Sequence, residues 1–368
     1  MRIMFHLIFG PDPGRWRLGA TTRCRLRGRA AMRRFGRSAP VRKTGRPAPR
    51  TLHYRSLRMI PRLLAVTIAF AAPTAFAQAA EIETCHGPQS FETAPTRAIT
   101  LNQQATEVML ALGLEDRLIG TAYMDDEIPE AWRAAYDSVP VLSEKYPARE
   151  IVLAEEPDFL FAGFGSAFGA DNLGAAGDWQ DLGIGTYLAD ASCSAHHPED
   201  EALGIEPVFT DIATIGDIFG VEDRAATVAD ELRARFKAVE GAAPGDGLTA
   251  FLFDSGETAP YTAGCCGAPA ALMKQVGLKS ITADVEGHWA EVSWETIAAA
   301  APDVIVLIEA DWSTAEAKRS HMENDPVLSQ LSAVREGRFV TVPFSQTVLG
   351  MQFVDGVETL AAQLDALK

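Results

Sequence analysis

Two stretches of this chain, opening at Glu150 and Glu295, follow one plan. In the first, Glu150 starts a short helix-forming run, Pro157 and Asp158 close it, and the apolar strand Phe159 to Phe161 follows. In the second, Glu295, Pro302, Asp303 and the strand Val304 to Ile308 stand in the same order. Pro147 and Ser293 suit a helix start, a first-turn acid faces the positive end of the helix dipole, and proline ends the run. A unit of this kind, present twice, predicts two α/β lobes built alike, each with one glutamate at the same place. That favours a bilobal protein over a single-site enzyme.

The first 77 residues lie outside this plan. Residues 1–58 hold 16 of the 33 basic residues, a single acid, Asp12, and no sustained apolar period. Arg62, the apolar run Leu63 to Ala72 and the end Ala75-Phe76-Ala77 make residues 59–77 a secretory signal peptide, and the run is too short to span a bilayer. Met59 is the expected start, with 1–58 as upstream sequence; a genuine basic extension is the alternative. No cysteine follows Ala77 to accept a lipid, so the expectation is a free periplasmic chain and not a lipoprotein. The leader takes 17 of the 33 basic residues and one of the 49 acidic ones, leaving a net charge of −32. Nucleic acid and anionic membranes are poor partners for such a surface.

Beyond the leader stand Cys85, Cys193, Cys265 and Cys266. An even number in an exported chain favours disulfides. Cys85 with Cys193 is the favoured pairing, since each borders an element of the first lobe. Cys265 and Cys266 could bond to each other, pair elsewhere or stay reduced.

From Arg97 onward strands and helices alternate. Strands are expected at Ala98 to Leu101, Leu118 to Thr121, Val139 to Leu142, Phe159 to Ala162 and Gly185 to Leu188, with helical spacing at Thr106 to Leu112 ending on Gly113. Residues 190–207 read as loop, and a helix-like segment runs from Val208 to Phe219. The longest helical pattern, Glu222 to Glu240, buries the face of Ala225, Val228, Leu232, Phe236 and Val239. After the break at Gly241 to Gly245 the alternation restarts with strand Thr249 to Phe253, helix Pro269 to Val276, the second repeat unit, strand Arg338 to Val342 and a last helix from Val354 to Leu367. The expected fold class is α/β: two Rossmann-like lobes with parallel sheets, residues 78–220 and 242–368, joined by one long helix, residues 221–241, with a ligand cleft between them.

This arrangement resembles the helical-backbone class of periplasmic substrate-binding proteins of ABC importers for iron–siderophore complexes, haem and cobalamin. The likeness is carried by Arg97 to Asn102 with Glu107 to Leu114 and Arg117 to Gly120, by Tyr261 to Gly264 with Leu272 to Gly277, and by Glu291 to Glu295 running on to Val306. The resemblance implies a monomeric carrier that hands a small-molecule ligand to permease transmembrane subunits with a cytoplasmic ATPase. By position it also gives Glu150 and Glu295 the part of the two lobe glutamates that pair with permease arginines. Exposed charges of this kind set docking register and encounter rate more than affinity.

In open α/β lobes the ligand sits beyond the carboxyl ends of the strands. That rule selects Asn102, Gln103 and Gln104, then Tyr123, Tyr146, Phe164, Ser166 and Phe168 in the first lobe. In the second it selects Tyr261, Cys265, Cys266, Trp289 and Trp312. Aromatic residues converging from two lobes suit a flat, partly apolar ligand, with amides and hydroxyls to orient it. Few cations stand among them, which favours a neutral or weakly charged metal chelate or a corrinoid over a strongly anionic siderophore. Relatives of similar pattern also carry a deazaflavin precursor, so the ligand stays open. No catalytic cofactor is implied.

Two other readings compete. His86, His196, His197 and His288, with abundant carboxylates, could hold a bare zinc or manganese ion. However, none of these histidines falls at the carboxyl end of a predicted strand. For an enzyme, Gly163 to Ala167 departs from the nucleophile elbow because position 167 is alanine, and no Gly-x-Gly-x-x-Gly or phosphate-cradling loop is present.

Overall fold

The computed structural model describes residues 80–239, 241 and 243–368. The signal peptide and the 1–58 segment expected from sequence lie outside these residues. The chain opens with an antiparallel hairpin, β1 (Ala80–Thr84) and β2 (Gly87–Phe91). Its alternately half-buried side chains are too polar to stand out as strands in the sequence. Gln89 clasps it to the first lobe: its side chain donates to Thr186 O (2.6 Å) and accepts from Thr186 N (2.9 Å).

The first lobe follows as β3 (Ala98–Leu101), α1 (Gln103–Ala111), β4 (Leu118–Ala122), α2 (Glu130–Tyr136), β5 (Val141–Ser143), α3 (Arg149–Ala154), β6 (Phe159–Ala162), α4 (Ala176–Gln180) and β7 (Gly185–Leu188). Its five strands are all parallel, in the order β5-β4-β3-β6-β7. Chain order therefore reverses between β3 and β6, so the loops after those two strands diverge and open a crevice. Strands β3 and β6 are fully buried and apolar but for Thr100, as a parallel sheet covered on both faces requires.

Two consecutive helices, α5 (Glu206–Phe219) and α6 (Glu222–Val239), lead out of this lobe, with Gly220 left-handed between them (φ 67°). The second lobe runs β8 (Thr249–Phe253), β9 (Tyr261–Ala263), α7 (Ala268–Gln275), β10 (Lys279–Ser280), β11 (Trp289–Glu291), α8 (Trp294–Ala300), β12 (Val304–Glu309), α9 (Ala315–Asn324), α10 (Ser332–Arg335), β13 (Phe339–Pro343) and α11 (Phe353–Ala366). Its four-stranded parallel sheet is ordered β10-β8-β12-β13, and β9 and β11 form a separate antiparallel pair. Here the order reverses between β8 and β12. The architecture is the two-lobed α/β fold expected from the repeat.

The repeat itself has a structural logic. Asp158 accepts hydrogen bonds from Thr96 N (2.8 Å), Thr96 Oγ1 (3.0 Å) and Arg97 N (2.8 Å), just before β3. Asp303 accepts from Thr249 N and Thr249 Oγ1, both at 2.8 Å, at the start of β8. In each lobe the Pro-Asp thus ends a helix and clamps the entry of the neighbouring strand.

Helix α6 is tied to both lobes. Its buried face is Ala225, Val228, Ala229 and Leu232, while Phe236 and Val239 pack half-buried against the same core. That core is continuous from Phe159 and Phe161 of the first sheet, through α5, α6 and α11, to Leu252, Val304 and Val340 of the second. Arg224 donates from Nε (3.1 Å) and Nη2 (2.8 Å) to Ala111 O at the end of α1. Arg235 bonds Asp355 (2.6 Å) and Glu358 (2.8 Å) on α11, and the Glu358 contact raises its pKa above the ordinary arginine value. Cys85 pairs with Cys193, joining the end of the hairpin to the 190–207 loop (Cα–Cα 5.6 Å), and Cys265 pairs with Cys266.

Candidate functional site

The loops after β3, β4, β5 and β6 meet those after β12 and β13 across one cleft. Tyr123, Asp125, Lys145, Tyr146, Phe164 and Ser166 come from the first lobe, Trp312 and Phe344 from the second; together they line a cavity of about 410 Å³. A volume of this size lies within the range of small-molecule sites. Tyr123 meets Tyr146 edge-on (4.7 Å, 62°) and Trp312 meets Phe344 edge-on (4.8 Å, 75°). The Lys145 ammonium lies 4.4 Å from the centre of the Tyr123 ring. Trp312 is 48% exposed, so its indole faces the opening without being covered by the protein.

Beneath the aromatic walls lies a hydrogen-bonded floor. Asn102, just after β3 at φ 78°, is buried, and its Oδ1 accepts from the Tyr146 hydroxyl (3.0 Å) and Phe164 N (3.3 Å). The Tyr146 hydroxyl also meets Ser166 Oγ at 2.9 Å. Burial raises the Tyr146 pKa, so the phenol stays protonated. Asp125 is pushed up to about 7, first by burial and then by Asp126, with Lys145 pulling the other way. The compartment thus holds phenols, one ammonium and a carboxyl that titrates near neutrality.

A second compartment of about 230 Å³ shares Phe164 with the first. Gln104, Ser192, His197 and Glu199 line it from the first lobe, with His288 and Trp289 opposite. The 190–207 loop, which carries Ser192, His197 and Glu199, is held by Asp190, whose carboxylate meets His196 Nδ1 (2.7 Å) and His197 Nε2 (2.8 Å).

The residues expected from sequence divide into three groups. Tyr123, Tyr146, Phe164, Ser166 and Trp312 gather in the aromatic compartment, and Trp289 in the second. Asn102 is corrected to a supporting place behind Tyr146 and Phe164. Gln103 is likewise corrected: it faces inward, donating to Glu107 (2.8 Å) and accepting from Asp125 N and Asp126 N (3.1 and 2.7 Å), while its neighbour Gln104 faces the cleft. One step along a helix turns a side chain by about 100°, and this separates the two glutamines. Tyr261 lies outside both cavities, stacked on Trp289 (5.5 Å, 8°). Cys265 and Cys266 line neither cavity; Cys266 is buried and its carbonyl accepts from Leu203 N (2.9 Å), tying the 190–207 loop to the second lobe.

Lys145 and Phe344 were missed, although the strand-end rule finds both, since they follow β5 and β13. Glu199, His197 and His288 reach the cleft from loops that the rule does not cover. His86 lies apart against Phe168 (5.4 Å). Among the described residues no group of three or more His, Cys, Asp or Glu side chains is arranged to hold a metal ion.

A two-lobed α/β molecule with an aromatic cleft at the switch points of both sheets has the build of a solute receptor. The periplasmic binding protein profile matches residues 99–345, and the chain belongs to that family. An ABC transporter substrate-binding lipoprotein of Bacillus subtilis, YvrC, is 24% identical over 275 residues, covering 73% of this chain and 80% of that one. A periplasmic binding protein from Veillonella parvula superposes with TM-score 0.69 at 27% identity, over 79% of this chain and 98% of the other. An ABC-type Fe3+-hydroxamate transport system structure from Saccharomonospora viridis gives TM-score 0.64 at 25% identity, over 77% and 98%. The chain is therefore the substrate-binding protein of an ABC transporter and not an enzyme, and works with a permease, an ATPase and a small-molecule ligand. One expectation is corrected: the Bacillus subtilis relative is a lipoprotein, which overturns the expectation of an unanchored chain. That expectation rested on a cleavage point at Ala77, outside the described residues.

Proposed function

We propose that this protein captures an iron–siderophore, corrinoid or similar metal-chelate ligand between its lobes and delivers it to the permease, docking through Glu150 and Glu295. The observation that carries the ligand reading is the aromatic compartment: Tyr123, Tyr146, Phe164, Trp312 and Phe344 converge from two sheets on one cavity. Such walls suit the flat or rounded, partly apolar surface of a chelate. The similarity to the Fe3+-hydroxamate transport structure supports the same class.

Both docking glutamates are exposed and each is the second residue of its helix, α3 or α8. Ser293 caps α8 by accepting from Thr296 N, which fixes the turn that presents Glu295. Ile151 and Leu153, 45% and 38% exposed, add apolar contact area beside Glu150. With this reading goes the division into lobes 78–220 and 242–368 with 221–241 as linker, and a monomeric carrier.

Two measurements test it. Native mass spectrometry of the protein purified from cells should find a bound chelate or corrinoid; stoichiometric bare zinc or manganese would replace the reading. Exchanging Glu150 and Glu295 together for arginine should abolish uptake while leaving affinity for the co-purified ligand unchanged. Uptake that survives the double exchange removes the docking assignment.

A further inference from the structure

The second compartment is lined by polar groups that accept hydrogen bonds and by no lysine or arginine. Gln104 is 5% exposed, and its Oε1 has no hydrogen-bond partner among the described residues. Its amide is held in place: a Cβ at Gly163 would overlap the amide, and one at Gly350 would meet its Cβ at 2.8 Å. Two glycines, one from each lobe, therefore leave the room that this side chain occupies. A buried amide oxygen without a partner is costly, about 1–3 kcal/mol in general, unless something else fills the need.

Across the compartment His288 Nε2 is also buried and unpaired. Burial lowers the His288 pKa; Glu199 raises it and His197 lowers it. The neutral ring offers an acceptor at the nitrogen that lacks the proton. Two of the neighbouring donors are already engaged, while the Ser194 hydroxyl and the Trp289 indole also line the space. His197 Nε2 meets Asp190 Oδ2 at 2.8 Å, and Ser192 Oγ donates to Gly163 O at 2.7 Å. With them stand the Gln104 amide, the Glu199 carboxylate and the His288 ring.

Resting on the metal-chelate reading, we propose that the ligand is bipartite: its apolar body sits among the aromatic rings, and an arm bearing N–H donors, an ammonium or a carboxamide, enters the Gln104–Glu199–His288 compartment past Phe164. Phe164 lines both cavities, so the two adjoin there. The Glu199 carboxylate, with no lysine or arginine in the lining, discriminates against a carboxylate-ended arm, which would meet like charge there.

The arm can be tested without knowing the body. The protein as purified from cells, labelled at its tryptophan indoles and with the Trp289 resonance assigned by a Trp289→Phe variant, is titrated with n-butylammonium, butyramide and butyrate. Fragments of a few heavy atoms bind in the millimolar range at best. Butylammonium and butyramide should both move the Trp289 signal there, and butyrate should bind at least about tenfold more weakly, the scale of a charge-assisted hydrogen bond. Glu199→Gln should weaken butylammonium about tenfold and leave butyramide unchanged, a pattern a folding defect would not produce. Gln104→Met should weaken both. Butyrate binding as well as the other two, no shift with any of them at tens of millimolar, a butylammonium shift undiminished in Glu199→Gln, or shifts undiminished in Gln104→Met would each overturn the proposal. Failure of the chelate reading is seen separately, in the mass spectrum of the natural cargo.

Discussion

Asp158 and Asp303 stand 145 positions apart, and each accepts from the N–H and hydroxyl of a threonine at the entry of a neighbouring strand. Asp158 is half-buried and Asp303 exposed, so the worth of Asp303 is that of a surface cap. Asp303→Ala should lower the unfolding free energy by about 1 kcal/mol, as for loss of a helix-capping side chain, with Asp303→Asn costing less because it keeps an acceptor. Urea denaturation of the two variants measures this, and equal losses for Ala and Asn would remove the hydrogen-bond account. The bonds from Thr249 hold the Asp303 carboxyl below its ordinary value of 3.8. Its contribution is therefore complete above that value and is lost as pH falls through the lower folded value. At this scale the sequence was half legible. The repeated Pro-Asp could be seen, but its acceptors could not, because they depend on which strand lies alongside. The two adjacent glutamines show the same limit: Gln103 and Gln104 are chemically identical, and only the phase of α1 sends one to Glu107 and the other to the cleft.

Among the elements, the approach of α1 to the segment before α11 is the most heavily loaded. Glu107 of α1 is buried and receives hydrogen bonds from Gln103 and, across the lobes, from Gln352. A second bond, Ser345 N to Asp126 Oδ2 (2.7 Å), crosses between the lobes. Burial pushes the Glu107 carboxyl up to about 8, the two glutamines lower it, and Asp355 and Asp126 raise it further. The sign follows directly. Between its ordinary value of 4.5 and about 8 the folded chain holds a proton that the unfolded chain has lost, so stability falls as pH rises through that window. Asp125 and Asp211, each raised to about 7 by burial, add to the same decline. Comparison with Glu107→Gln isolates the one carboxyl. The variant should gain on the wild type progressively with pH, by a few kcal/mol in order of magnitude at the top of the window, and level off above it. Calorimetric or denaturant stability at a series of pH values provides the check, and a difference that stays flat would mean that Glu107 is already ionised in the fold. Long strands and helices were legible here because they are apolar and periodic. The β1–β2 hairpin and the β9–β11 pair were not, since short polar strands owe their state to Gln89 on Thr186 and to Tyr261 on Trp289.

For the whole molecule the decisive feature is the joint. One helix with a buried face, pinned by Arg224 to α1 and by Arg235 to α11, lies in a core that runs unbroken from sheet to sheet. Close-packed interiors resist continuous deformation, so the lobes should tilt by small shear movements and not swing on an open hinge. This bears on delivery. If Glu150 and Glu295 set the docking register, the distance between them must be nearly constant, because a permease with fixed partners can read only a fixed spacing. Spin labels at Glu150→Cys and Glu295→Cys, with the four described cysteines left paired, should therefore give a single narrow distance distribution that moves only slightly when the co-purified ligand is added. Removing both pins with Arg224→Ala and Arg235→Ala should broaden it, although the exposed Arg235 ion pairs contribute at most about 1 kcal/mol each. A broad or two-peaked distribution in the unaltered joint would show that the lobes move independently. The two glutamates would then be first-turn residues of similar helices, and ligand release would have to be governed by opening of the cleft and not by docking of a preset pair.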